Sequence, residues 1–224
     1  MGLISEKDKD FLRKKFEQEL IEDVKFVFFT QREGAIIMPS GECPYCKTTH
    51  ELLDELVTLS PKLSLEVHDF LEEESLAKEL GIDKIPALII QRPDKDYGIR
   101  FFGIPSGYEF SSVLEDIIDV SRGETSLSQA TKDKLTQIDK NIHIQVFVTP
   151  TCPYCPKAVR MAHMMAIESD YVRGDMVEAI EFPHLSERYG VEGVPKIVIN
   201  DSVEFVGAYP EEPYLEYVLQ AVKA

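Results

Sequence analysis

The tetrapeptide Cys-Pro-Tyr-Cys occurs twice, at 43–46 and at 152–155, and it uses all four cysteines of the chain. Random placement of four cysteines would almost never spell the same tetrapeptide twice, so a duplicated unit is the simplest account. A duplication should carry other landmarks at the same offset. Gly81-Ile82-Asp83-Lys84-Ile85-Pro86 and Gly190-Val191-Glu192-Gly193-Val194-Pro195 share one pattern: Gly, branched apolar, acidic, any, branched apolar, Pro. The first cysteines lie 109 positions apart, as do the two prolines, and each proline follows its first cysteine by 43. Two independent motifs therefore agree on one spacing.

The stretches between these landmarks repeat as well. A helical apolar pattern (Phe11, Leu12, Phe16, Leu20; later Leu127, Leu135, Ile138) leads into runs of β-branched and aromatic residues at 24–30 and 142–149, which read as buried strands. Helices are predicted at 47–59 and 156–169, strands at 63–70 and 176–182, and short helices at 72–80 and 185–189. Strands at 87–91 and 196–200 follow the landmark prolines, then turns at Pro93-Asp94 and Asn200-Asp201, hairpin partners at 97–103 and 203–207, and closing helices at 108–120 and 213–223. A βαβ crossover gives a parallel pair, and the later hairpin adds antiparallel strands. The expectation is an α/β chain of two tandem units, 1–120 and 121–224, joined at the polar stretch 121–126.

The units differ in one place. Thr30 and Cys43 are 13 positions apart, whereas Thr149 and Cys152 are 3 apart. The extra residues within 31–42 include Ile36, Ile37 and Met38, and they are either a tolerated surface insertion or a flap over the first site. The short approach to Cys152 makes the second site the expected stronger reductant.

Two cysteines three positions apart suit dithiol–disulfide exchange, in which a thiolate attacks a disulfide and a second thiol resolves the mixed disulfide. Each pair is expected to open a helix, where residues i and i+3 share a face and unpaired N–H groups stabilise an anion. That setting lowers a thiol pKa from about 8.5 toward roughly 3.5 to 7.5, so Cys43 and Cys152 read as nucleophiles and Cys46 and Cys155 as resolving thiols. Pro44 and Pro153 are placed in the first turn, where a missing N–H costs little. Pro156 is expected to bend its helix, Lys47 and Lys157 to be solvated rather than sulfur partners, and Tyr45 and Tyr154 to be exposed and within reach of substrate. A cis bond before Pro86 or Pro195 would bring the backbone of Ile85 or Val194 beside the cysteines, ready to pair with an extended substrate.

Composition narrows the partners. Net charge is −16, with no basic run, so nucleic acid and anionic membranes are poor candidates. No apolar stretch is long enough to span a membrane and the charged start lacks a signal-peptide core, which together suggest a cytoplasmic protein. With Ser5 one place early and Glu6 in the required slot, the start misses a myristoylation motif. Asn200-Asp201-Ser202 matches a glycosylation triplet, which a cytoplasmic turn explains better.

A strand, Cys-Pro-Tyr-Cys at a helix start, and an apolar-Pro element about 40 residues on resemble the thioredoxin and glutaredoxin superfamily. Two such units in one chain, with the fragments 95–103 and 147–156, resemble the protein disulfide oxidoreductases, or glutaredoxin-like proteins, of thermophilic archaea and bacteria. The resemblance implies two thioredoxin folds side by side, each a central mixed sheet flanked by helices, with cis bonds before Pro86 and Pro195. It also implies reduction, oxidation and isomerisation of protein disulfides, with no cofactor beyond the redox-active disulfides and electrons from a thioredoxin reductase-like flavoprotein. The chain departs from the family in the 31–42 insertion, and the absence of Trp removes the Trp-Cys start of ordinary thioredoxins.

Three other readings stay open. Two Cys-x-x-Cys pairs can share a zinc ion, although ribbons usually separate their pairs by about 15 to 20 residues. A glutathione-dependent glutaredoxin needs a cation near the landmark proline, for which Lys196 beside Pro195 is the candidate and Ala87 offers nothing. A scaffold with inert disulfides is the non-enzymatic reading. His50 and His163 are expected to be surface or packing residues, and Asp69 and Glu181 to be solvated strand ends more readily than buried proton-transfer acids.

Overall fold

A computed structural model describes residues 2–31 and 43–223. The proposed flap, with Ile36, Ile37 and Met38, lies outside the described residues. The first half runs α1 (Glu6–Glu19), β1 (Val24–Thr30), α2 (Cys46–Val57), β2 (Leu63–Asp69), α3 (Glu74–Glu79), β3 (Ala87–Gln91), β4 (Ile99–Phe102), a 3-10 turn (Gly107–Glu109) and α4 (Phe110–Arg122). The second half repeats the order: α5 (Gln129–Leu135), β5 (Ile142–Val148), α6 (Cys155–Glu168), β6 (Val172–Glu178), α7 (Pro183–Arg188), β7 (Lys196–Ile199), β8 (Val203–Val206) and α8 (Glu211–Lys223).

Most predicted elements stand within two residues of their expected bounds. The largest shift is β6, expected at 176–182 and found at Val172–Glu178. The run 179–182 is apolar enough to mimic a strand, but Phe182 N–H turns back to Glu178 O at 3.3 Å and leads directly into α7. Gly174, inside β6, packs so closely on α6 that a Cβ would meet the Ala162 backbone at 3.0 Å.

Each half is a mixed four-stranded arrangement. In the first, β1 pairs parallel with β2 and antiparallel with β3, and β3 pairs antiparallel with β4; β5, β6, β7 and β8 repeat this. The halves are not separate sheets. Edge strand β4 pairs in parallel with β6, giving one eight-stranded sheet of order β2-β1-β3-β4-β6-β5-β7-β8. Two open edges, each a row of unpaired N–H and C=O groups, satisfy each other in this way.

Strand alternation divides the core by face. Val24, Phe26 and Phe28 of β1 join the larger apolar cluster with α1, α4, α6 and α8, while Val27 and Phe29 join a second cluster with Ile85, Phe102 and Val177. Both faces of β1 are thus covered, which accounts for its continuous apolar run. Among the described residues no helix is long and apolar enough to cross a membrane. α4 ends on Gly123 at φ +70°, the left-handed cap that glycine adopts without Cβ strain. The side chain of Ser121 bonds the Ile21 and Glu22 amides at 2.9 and 3.0 Å, tying the end of α4 to the turn before β1.

Candidate active sites at the two cysteine pairs

Each motif closes as its own disulfide, Cys43–Cys46 and Cys152–Cys155, with Cα atoms 5.5 Å apart in both. Such a separation lies in the ordinary range for a bridge. The cysteines are not two members of one helical face, as the i, i+3 argument expected. Helices α2 and α6 begin at the second cysteine, and Cys-Pro-Tyr forms a turn ahead of each, with Tyr45 and Tyr154 at the N-cap. The first sulfur therefore sits in front of the helix end, where N–H groups point outward without intrahelical partners. At the second site the contact is direct: Cys155 N–H donates to Cys152 Sγ at 3.2 Å.

Pro44 and Pro153 lie in this turn and are exposed. Pro156 takes one of the first two helical positions of α6, where its N–H would have been an orphan in any case, so it opens the helix instead of bending it. Burial grades the sulfurs: Cys46 and Cys155 are buried, Cys43 is half-buried and Cys152 is 8% exposed. Tyr45 and Tyr154 are exposed at 44% and 70% beside them. Lys47 and Lys157 are exposed on the first turns of their helices.

The peptide bonds Ile85-Pro86 and Val194-Pro195 are both cis. The Val194 carbonyl oxygen stands 3.7 Å from Cys152 Sγ, so the landmark loop does meet the second cysteine pair. On their other side the prolines are held alike, with Gly103 N–H on Pro86 O at 2.9 Å and Gly207 N–H on Pro195 O at 2.8 Å. Lys196, the cation considered for glutathione, is buried and pairs with Glu204 at 2.9 Å. Among the described residues no group of three or more His, Cys, Asp or Glu side chains is gathered as a metal site.

The histidines pack as expected, whereas Asp69 and Glu181, expected as solvated strand ends, are buried or partly buried. His50 is half-buried and 3.7 Å from Asp54. His163 is fully buried between α6 and α4, with Nδ1 at 2.6 Å from Asp116 and its ring edge-on to Phe101. Burial, aided by the Arg160 cation, pushes the His163 pKa down to about 3. The neutral ring donates Nδ1–H to Asp116, while Arg160 ion-pairs with both Asp116 and Asp119. Asp69 closes β2 but is buried rather than solvated, its Oδ1 accepting the Leu71 and Glu72 amides of the following turn at 2.9 and 3.0 Å. Glu181 is partly buried and accepts the Ile104 N–H of the first half at 2.7 Å, and burial pushes its pKa up to about 7. Neighbouring Glu178 is raised by burial too and takes the Glu181 amide at 2.6 Å.

Glu109 was missed. It is 1% exposed, and burial pushes it up to about 7 against the opposing hydrogen bond from Ser112. Its neighbour Tyr108 donates its N–H at 3.0 Å to Pro150 O, two residues ahead of Cys152. The signal was present: Glu109 at the N-cap and Ser112, Asp116 and Asp119 within α4 recur at helical spacing, alongside buried Val113, Ile117 and Val120. A polar stripe next to an apolar one means a helix covered on two sides.

A thioredoxin-domain family model matches residues 142–220. A protein disulfide oxidoreductase from Aeropyrum pernix superposes with a TM-score of 0.87 at 31% identity, over 98% of this chain and 94% of that one. The AhpF component of the Enterococcus faecalis alkylhydroperoxide reductase, in a C503A mutant, shares the fold with a TM-score of 0.86 at 24% identity, over 96% of this chain and 99% of that one. The F component of the Staphylococcus aureus alkyl hydroperoxide reductase is 27% identical over 154 residues, covering 69% of this chain and 28% of its own length. The chain thus spans less than a third of the length of the curated relatives it matches first.

The fold and its two cysteine pairs define a thioredoxin-like disulfide oxidoreductase with two Cys-x-x-Cys sites. By its likeness to the Aeropyrum pernix protein over nearly the full length of both, the chain belongs to the protein disulfide oxidoreductase family.

Proposed function

We propose that the chain exchanges dithiols and disulfides on protein substrates through two units, 1–120 and 121–224, each with its own site. Cys43 and Cys152 act as nucleophiles, and Cys46 and Cys155 resolve. In the reductive direction the Cys152 thiolate attacks one substrate sulfur, the substrate disulfide breaks, and a mixed disulfide forms. The Cys155 thiolate then attacks Cys152 Sγ, releasing the substrate as a dithiol and leaving the enzyme disulfide. Two electrons and two protons from a thioredoxin reductase-like flavoprotein restore the dithiol, and the cysteines need no further cofactor.

The observation that carries this reading is the approach of two backbone groups to one sulfur. The Cys155 N–H at 3.2 Å favours the thiolate, and the Val194 carbonyl at 3.7 Å marks where substrate backbone passes. Ile85, Pro86, Val194 and Pro195 then form the shelf for that backbone, and Tyr45 and Tyr154 flank it. Protein disulfides are favoured over glutathione because the cation beside Pro195 is already held by Glu204. The shorter approach to Cys152 supports the second site as the stronger reductant.

The test is reduction of insulin disulfides by wild type and by Cys43→Ser, Cys152→Ser and the double variant. The single variants should keep unequal activities and the double variant none. Turnover by the double variant would remove the mechanism.

A further inference from the structure

The landmark loop of the first half, Gly81 to Pro86, meets the second half at both ends. At one end a Cβ on Gly81 would run into the Arg173 guanidinium, whose Nη2 donates to the Gly81 carbonyl at 2.9 Å. At the other, Gly103 N–H holds the Pro86 carbonyl at 2.9 Å, and the next amide, Ile104 N–H, donates to Glu181 Oε1 at 2.7 Å. A Cβ on Gly103 would lie 2.6 Å from Glu178 Cβ and 2.8 Å from Glu181 Oε1, so the turn after β6 is pressed against the end of β4. That turn is itself fixed: Glu181 N–H donates to Glu178 at 2.6 Å, and Ala179 N–H donates to Val148 O at 2.9 Å.

The contact belongs to the first cysteine pair. Cys46, Ile85 and Phe102 share one apolar cluster with Val177 and Ala179 of the second half, and Cys43 packs against it. The matching positions of the second half stand open. Gly190, at the 109-residue offset from Gly81, and Gly207, which holds the Pro195 carbonyl at 2.8 Å, would meet nothing among the described residues within 4 Å on gaining a Cβ. The sheet order gives the reason, since β4 has β6 beside it whereas β8 ends the sheet.

We propose that Glu181 of the second half is a positioning residue for exchange at Cys43: by holding Ile104, and through it Gly103, it fixes the Pro86 shelf on which a peptide substrate is laid. The inference rests on the substrate reading given above and deepens it. Glu181 acts through backbone groups of the first half, so it governs how a peptide is seated and leaves the reactivity of the thiolate alone. The Pro195 shelf lies beyond its reach, at the start of β7 on the far side of β5. Two sites with the same tetrapeptide therefore differ in how firmly each presents its shelf.

Two full chains test it, one carrying Cys152→Ser and Cys155→Ser so that only the first pair reacts, the other Cys43→Ser and Cys46→Ser so that only the second does. Each is reduced and mixed with the peptide Gly-Ser-Cys-Ser-Gly bearing thionitrobenzoate on its sulfur. The nucleophilic thiolate attacks the peptide sulfur, the bond to thionitrobenzoate breaks, and thionitrobenzoate leaves as the coloured thiolate. Glu181→Ala should slow this release about tenfold at the first pair and leave it unchanged at the second. Alkylation of Cys43 by iodoacetamide, which has no peptide chain to seat, should keep its rate. Glu181→Gln still offers Ile104 an oxygen, without the charge, and should bring the peptide rate back to within about threefold of the parent. By NMR, the Gly103 amide should exchange its hydrogen about tenfold faster in Glu181→Ala, with the Gly207 amide unchanged. An unaltered peptide rate at the first pair, equal losses at both pairs, a parallel fall in alkylation, or no rescue by Glu181→Gln would each overturn the proposal. If the parent releases no thionitrobenzoate at the first pair, the reading of Cys43 as nucleophile fails, and the exchange of the Gly103 amide alone decides whether Glu181 holds the shelf.

Discussion

Arg173 of the second half donates Nη2 to the carbonyl oxygen of Gly81 in the first, at 2.9 Å, across the joint where β4 and β6 meet. Asp175, two residues along β6, holds the same guanidinium at 2.7 and 2.9 Å and also takes His143 Nε2 at 2.6 Å. Gly81 opens the loop that ends at Pro86, so one buried carboxylate braces the landmark loop of the other half.

Asp175→Asn should therefore destabilise the whole chain. Burial alone would raise the Asp175 pKa, but His143 and Arg173 outweigh it and hold the group well below the usual carboxylate range. Removing one partner of a buried pair costs on the order of 3 kcal/mol. A depressed carboxylate stabilises the fold above its unfolded pKa and loses that contribution as pH falls toward its folded one. Urea unfolding should show the wild type and Asp175→Asn converging below about pH 4 and far apart at pH 7.

Glu109 has the opposite sign. Its pKa rises from 4.5 to about 7, so the folded state holds a proton that the unfolded chain releases between those values. Stability from this group is full below about 4.5 and falls as pH rises through about 7. Glu109→Gln, which cannot ionise, should gain about 2 to 3 kcal/mol relative to wild type between pH 4.5 and 8. Equal pH slopes for the two proteins would contradict the burial account.

Gly107 is at φ +62°, and a Cβ there would run into the Pro150 carbonyl. Gly107→Ala should cost about 1 to 3 kcal/mol from the backbone conformation alone. Because Pro150 leads into Cys152, the variant should also alter the alkylation rate of Cys152 while leaving Cys43 unchanged. Equal changes at both cysteines would point to general loosening instead.

In the reduced protein, iodoacetamide should modify Cys43 and Cys152 first. Cys46 and Cys155 are 3% and 0% exposed and should react last. The rate at Cys152 should rise with a midpoint well below the free-thiol value of about 8.5, because an N–H already points at its sulfur. Mass mapping of partly labelled protein checks the order, and a midpoint near 8.5 would remove the helix-end argument.

Local pattern carried much of this structure. The double motif, the 109-residue offset and the β-branched runs placed most strands and helices, because each depends on spacing within a short window. Boundaries slipped where a residue is chosen for its neighbour across the fold. Gly174 looks unfit for a strand until α6 is seen lying against it, and Ala179 to Phe182 look fit until the turn is seen. At the candidate site, the two cysteine pairs and the cis bonds before Pro86 and Pro195 were legible from the chain. The burial of Glu109 and Asp116 was not, since it arises only when α4 of one half packs on α6 of the other.

The β4–β6 ladder has a consequence for how two sites can share one task. A chain hinged between its halves could swing one dithiol against the other, but hydrogen bonds across eight strands make the body a single plank. If both pairs exchange disulfides as proposed, a client served by both has to let go of one and travel to the other.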